Sequence, residues 1–138
     1  FDTRYAYFIR GSVSDVSWGN PHSEVTLRVT GTALPQGLGE RPLPPGADAD
    51  IAAATLAYAR PYEGEHEEIH LTLAGPGWMS RWGLDRPLEE GETVEVLGYI
   101  GSADSDDLRP AMFWLADGQG VWQQLTSFPT APVPASQD

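Results

Sequence analysis

Cysteine is absent from the 138 residues. No disulfide, thiolate metal site or cysteine nucleophile can therefore contribute. Lysine is absent too: all eight basic residues are arginine, against twenty acids, for a formal charge of −12. A field of that sign repels phosphate backbones and anionic lipid, so no nucleic-acid partner is expected. It suits cations, basic partners or solubility in salt. No apolar run approaches the ~18 residues that span a bilayer, so no membrane insertion is expected. Catalytic signatures are missing as well. There is no Gly-x-Ser-x-Gly elbow and no paired-carboxylate or phosphate-cradling motif. The best acid/base candidate is His22, with Asp15 or Glu24 near it in sequence. No recognised constellation surrounds it, so the chain reads as non-enzymatic with no cofactor.

What is present is apolar and rich in turns. Hydrophobic residues make up 41%, enough for the core of one domain, here residues 1–128. Fifteen glycines and twelve prolines predict many breaks. In residues 11–18, GSVSDVSW, the apolar period slips between Val13 and Val16. That slip predicts a bulged strand. Asn20-Pro21 predicts a corner. Over 23–30, Val25, Leu27 and Val29 alternate with polar residues, as a half-buried strand requires.

Residues 31–62 read as an insertion. It opens as a Gly/Pro loop and continues as a short helix capped by Asp48, with Ile51, Thr55 and Tyr58 on one stripe. Arg60-Pro61 is expected to end that helix. Ile69, Leu71 and Leu73 mark the next strand. Trp78 and Trp82, four apart, suit one helical turn closed by Gly83. Val94, Val96 and Ile100 share a strand face, with Gly98 at a bend or close backbone approach. Residues 111–115 form another strand, and 121–125 pair back across an Asp117-Gly118 turn. Residues 129–138 read as a disordered Pro-rich end. The fold expected is all-β. It is a five-stranded OB-like barrel with a short helix between strands three and four and the insertion between strands two and three.

Residues 13–29, VSDVSWGNPHSEVTLRV, resemble the N-terminal signature of the bacterial family DUF6152, in which a strand leads through Trp-x-Asn-Pro-His into an alternating strand. Residues 82–98, WGLDRPLEEGETVEVLG, resemble its second signature, a tryptophan segment followed by an acid-Gly-acid turn and a strand. The likeness covers about residues 8–125 without the insertion. It implies a small exported, OB-like domain, periplasmic or extracellular. The chain opens at Phe1 rather than Met, which fits a signal peptide already removed. The family carries no assigned activity, so no catalytic residue comes with the resemblance.

Two functions from different classes follow. The first is a binding or assembly module that meets a protein partner or a second copy through an aromatic face. Its candidate residues are Trp18, Asn20, His22, Trp78, Trp82 and Trp114. The run FDTRYAYFI at residues 1–9 could also add a strand to a partner's sheet edge. The second is a copper or zinc binder built from His22 with His66 or His70 and the thioethers of Met79 and Met112. Within HEEIH, His66 and His70 would lie ~13 Å apart on a strand, so the pair alone cannot chelate. The acidic run 104–107 lacks the spacing of a calcium loop. His22 itself reads first as a corner residue that hydrogen-bonds local backbone.

Overall fold

The computed structural model describes residues 5–100 and 106–123. Seven strands form one sheet: β1 (Ala6–Ser17), β2 (His22–Gly31), β3 (Ala59–Pro61), β4 (Glu68–Ala74), β5 (Thr93–Ile100), β6 (Asp107–Trp114) and β7 (Gly120–Trp122). Two α-helices, α1 (Ala49–Ala57) and α2 (Pro76–Arg81), and one 3-10 turn at Leu38–Glu40 complete the described elements. The chain is mostly β. Among the described residues no helix is long and apolar enough to cross a membrane.

The pairings run in a ring. Strand β1 pairs antiparallel with both β2 and β5, β2 with β4, and β5 with β6. A short parallel contact between β4 and β6, at His70↔Asp107 and Leu71↔Leu108, closes the circuit. The slip at Val13 is a bulge. Val13 opposes Leu27 and Asp15 opposes Thr26, which leaves Ser14 as the extra residue. Both Val13 and Val16 thereby keep to the inner core.

Seven strands stand where five were expected. Arg60-Pro61 does not end a helix. Helix α1 stops at Ala57, and the chain runs on as β3, parallel to the start of β1. Proline is tolerated in such a short outer strand because its missing N–H is not needed by the ladder. Strand β7 is the pairing back expected of residues 121–125: it folds on β6 after the Asp117-Gly118 turn, and residues 124 and 125 lie outside the description. Strand β6 also starts four residues early, at Asp107. Of the run at residues 1–9, the described part from Ala6 to Ile9 is not a free strand: it lies in β1, where Ala6 to Phe8 pair with β3 and Tyr7 to Ile9 with β5. Residues 1–4 and 129–138 lie outside the description.

There are two cores. The inner one fills the ring with Ile9, Val25, Leu27, Ile69, Leu71, Val96 and Phe113. The outer one lies where the insertion covers the far face of β1, β5 and β6. There Leu38, Ala52 and Leu56 pack on Phe8, Leu97, Tyr99, Met112 and Trp114. Adjacent residues on a strand face opposite ways, so Phe8 and Ile9, or Met112 and Phe113, serve different cores. Double burial also explains why strict alternation fades in β5 and β6. Asp48 caps α1 as expected, accepting from the Ile51 N–H at 3.1 Å.

One polar atom in the outer core is unsatisfied. The Tyr99 hydroxyl is buried without a hydrogen-bond partner. Burial pushes the phenol's pKa up, while the Thr55 hydroxyl beside it pulls the other way. Geometry favours the first influence, because Thr55 already donates to the Ile51 carbonyl at 2.8 Å. Tyr99→Phe is therefore expected to stabilise the fold by ~1 kcal/mol, the desolvation cost of an unpaired hydroxyl. A urea melt checks this; a loss of stability would show that the hydroxyl has a partner.

Candidate functional site

The corner predicted at Asn20-Pro21 turns β1 into β2. Its internal fastening is Ser23, not His22. The fully buried Ser23 hydroxyl accepts from the Gly19 N–H at 3.2 Å and lies 3.4 Å from the Gly19 carbonyl. Strand alternation decides this. Ser23 points inward, and His22, one residue earlier, points to solvent. No hydrogen bond or ion pair holds the His22 imidazole among the described residues. A signal for Ser23 existed, since it begins the inward-facing series that continues at Val25 and Leu27.

Helix α2 grows directly from this corner. His22 pairs with Ala74, the last residue of β4. Gly75 follows, and a Cβ there would overlap the Asn20 side-chain oxygen and sit 3.0 Å from the Pro21 carbonyl. Glycine is thus what lets the helix start against the corner. Pro76 occupies the first turn, where no N–H partner is lost. Met79 is fully buried in the inner core and anchors the helix. The Leu84 N–H returns to the Met79 carbonyl at 2.9 Å, and Gly83 (φ 98°) makes that closure possible.

Anchoring at Met79 turns Trp78 outward. Its side chain is 55% exposed and stacks on Trp82, with centroids 5.7 Å apart and planes 29° apart. The Arg81 guanidinium lies 4.6 Å from the Trp78 ring centroid. Trp82 is half-buried and touches both cores. Trp18 is half-buried against the inner core. The solvent-facing half of Trp78 leaves roughly 100 Å² of apolar ring in water, ~2.5 kcal/mol of burial unused at ~25 cal/mol per Å². Trp114 does not join this surface. It is 4% exposed, under Arg41 at 4.8 Å and in the outer core. Its inclusion as a surface residue is corrected: the insertion lies over it.

The five candidate metal ligands do not converge. Met79 and Met112 are fully buried in different cores. His22 opposes Ala74, whereas His70 opposes Thr26. Four ladder steps at ~3.3 Å separate them by ~13 Å. What does come together is His66 and His70, in an open groove of about 870 Å³ that Arg28, Glu65, Glu67, Glu68 and Asp106 also line. The His70 Nδ1 lies 3.1 Å from the Thr26 hydroxyl, and its Nε2 lies 3.9 Å from Asp106. Among the described residues, no group of three or more His, Asp or Glu has metal-holding geometry.

Two carboxylates fasten the scaffold around these surfaces. Arg86 bonds Glu92 at 2.7 Å across the turn into β5. That bond holds Glu92 below the ordinary glutamate pKa, against the opposing effect of burial. For Glu95 burial is the largest single influence and raises the pKa, but Arg10 at 2.6 Å and Arg41 at 2.9 Å together outweigh it. Arg41 thereby ties the insertion to β5. A carboxylate depressed on folding adds stability above its unfolded pKa of ~4.3 and loses it as pH falls through the lower folded value. Thermal melts between about pH 5 and pH 3 should therefore show a steeper loss of Tm for the native chain than for Glu95→Gln. The difference between the two curves separates this ion pair from the general easing of acidic repulsion. Parallel curves would overturn the assignment.

No protein-family model matches the chain, and neither a curated protein nor a solved structure does.

Proposed function

We propose that the chain is a non-catalytic, exported binding or assembly module that meets a protein partner through the Trp78–Trp82 face of α2. The carrying observation is Trp78, half exposed yet held rigidly by its stack on Trp82 and by the buried Met79 beneath. Rigid aromatics lose little entropy on binding and dominate interface energetics. Asn20 and His22, both exposed at the adjoining corner, would form the polar rim. An OB-like barrel is the scaffold this reading uses. It is supported by the ring order β1-β2-β4-β6-β5, by its single parallel contact, and by a helix placed between the third and fourth ring strands. Export to the periplasm or cell exterior belongs to the same reading, through the resemblance to DUF6152.

Site-specific photo-crosslinking tests it. A photoreactive side chain is placed at position 78 in the exporting cell, with exposed Glu90 as the control position. A discrete protein adduct from position 78 alone is expected. Trp78→Ala should itself cost no more than ~1.5 kcal/mol of stability, the scale of one aromatic pair, because the ring is only half buried. Equal smears from positions 78 and 90, or no adduct from either, would sink the reading.

A further inference from the structure

We propose that the Trp78–Trp82 surface takes a basic, extended segment of a partner protein, and that an arginine of that segment lies on the Trp78 indole in place of Arg81. This rests on the reading of that surface as a binding face and names what the face reads. The apolar area on offer is small: roughly 100 Å² of ring, against the ~800 Å² per partner of an ordinary protein interface. One side chain of an extended segment fits such an area, and a folded face does not.

Charge decides which side chain. The net charge of −12 draws a basic partner and repels a second copy of the same chain. Two exposed acids stand by α2. Asp85 accepts from the Ser80 hydroxyl at 2.6 Å, and among the described residues no arginine pairs with it. The turn that carries Asp117 is fastened to the end of α2 through Gln119. The Gln119 N–H donates to the Asp117 carboxylate at 2.9 Å, and its side-chain amide donates to the Gly83 carbonyl at 2.9 Å. Arg86, close in sequence, is already held by Glu92.

The ring itself accepts a guanidinium. Arg81 lies 4.6 Å from the Trp78 centroid, three residues along the same helix. The contact recurs at Arg41 on Trp114, 4.8 Å, and at Arg60 on Tyr5, 4.3 Å. Arg41 is tied down besides by Glu95 at 2.9 Å. Arg81 is exposed, and among the described residues no carboxylate pairs with it. An incoming arginine therefore displaces it for the loss of one exposed cation–π contact and makes the same contact in return. The stack on Trp82 holds the indole in place throughout. Arginine suits the ring better than lysine, because its planar fork lies flat on an aromatic face.

The probe is a capped peptide of alternating glycine and arginine, with lysine and glutamate counterparts. Each is titrated into the full-length chain while the indole N–H resonances of Trp78 and Trp82 are followed. The first is assigned by its loss in Trp78→Ala and the second by its loss in Trp82→Phe. The arginine peptide is expected to shift both resonances to saturation, the lysine peptide to bind several-fold more weakly, and the glutamate peptide to shift neither. Salt raised from about 50 to about 500 mM should weaken the arginine peptide several-fold. Trp78→Ala, read at Trp82, should weaken it about two- to five-fold, the scale of one exposed cation–π contact. Arg81→Gln should tighten it by a similar factor, because the competing guanidinium is gone. Unchanged or weaker binding in Arg81→Gln overturns the proposal. So does a shift with the glutamate peptide, which would make Arg81 the group that reads an acidic partner. Equal affinity in Trp78→Ala overturns it as well, by placing the peptide elsewhere on the acidic surface. The crosslinking result is independent. A position-78 adduct with resonances that the arginine peptide leaves unmoved keeps the binding face and removes only this occupant; failure of both removes both.

Discussion

Gln123→Ala is expected to cost ~3–5 kcal/mol, more than any other single polar truncation in the described structure. The reason is a gap in the ring. Strands β4 and β6 pair only at His70↔Asp107 and Leu71↔Leu108. Beyond these residues they part, and β6 turns to β7 instead. The Gln123 amide fills the parting like one more rung. Its oxygen accepts from the Ala74 N–H at 2.7 Å, and its nitrogen donates to the Thr72 carbonyl at 3.3 Å and the Pro110 carbonyl at 2.9 Å. The side chain is 1% exposed, so water cannot readily replace these bonds. Each buried group left unpaired costs ~1–3 kcal/mol, against a total of ~5–15 kcal/mol for a typical domain. For a chain of this size that is a fall in Tm on the order of 10–15 °C. Gln123→Glu sharpens the result. It keeps the acceptor for Ala74 but loses the donor and buries a charge, so it should be no better than alanine. Amide exchange at Ala74 should quicken in both variants. A loss below ~1 kcal/mol would mean that β4 and β6 hold together without the amide.

Gln123 also marks where sequence reading stops. The bulge at Val13, the faces Val25–Leu27–Val29 and Ile69–Leu71–Leu73, the Asp48 cap and the α2 turn were legible because each signal is local. Period, cap and turn chemistry act within a few residues. The partners of the Gln123 side chain are 13, 49 and 51 residues away. No local pattern announces them. The same limit hid the outer core. Whether Trp114 faces water or protein depends on where the insertion lies, and that is a tertiary fact. Strand β3 was missed because Arg60-Pro61 is a good helix stop, and only its neighbour β1 makes it a strand. At the candidate site the sequence brought out the α2 turn but ranked a visible histidine above the serine beside it. Histidine carries the richer chemistry, whereas Ser23 carries the buried hydrogen bonds.

The second large effect is expected at Gly98, where space and not backbone freedom is the constraint. Gly98 opposes Pro110 across a register shift in the β5–β6 ladder. A Cβ there would overlap the Arg109 carbonyl oxygen and stand 2.6 Å from Leu108 Cδ2 and 2.8 Å from Pro110 Cα. Two of those three atoms are backbone, which cannot swing aside as a side-chain tip can. Gly98→Ala must therefore push β5 and β6 apart just where they seal the inner core from the outer one. Overpacking of this kind costs ~1–3 kcal/mol, and the backbone clash argues for the upper end, about 3 kcal/mol. Gly31→Ala is the matched control, since nothing lies within 4 Å of its would-be Cβ. It should change stability by no more than ~0.5 kcal/mol. Equal stabilities for the two variants in urea melts would show that the strands yield freely at Gly98. A selective loss would show that the close approach of β5 and β6 at the Leu97–Gly98 irregularity requires a residue without a Cβ.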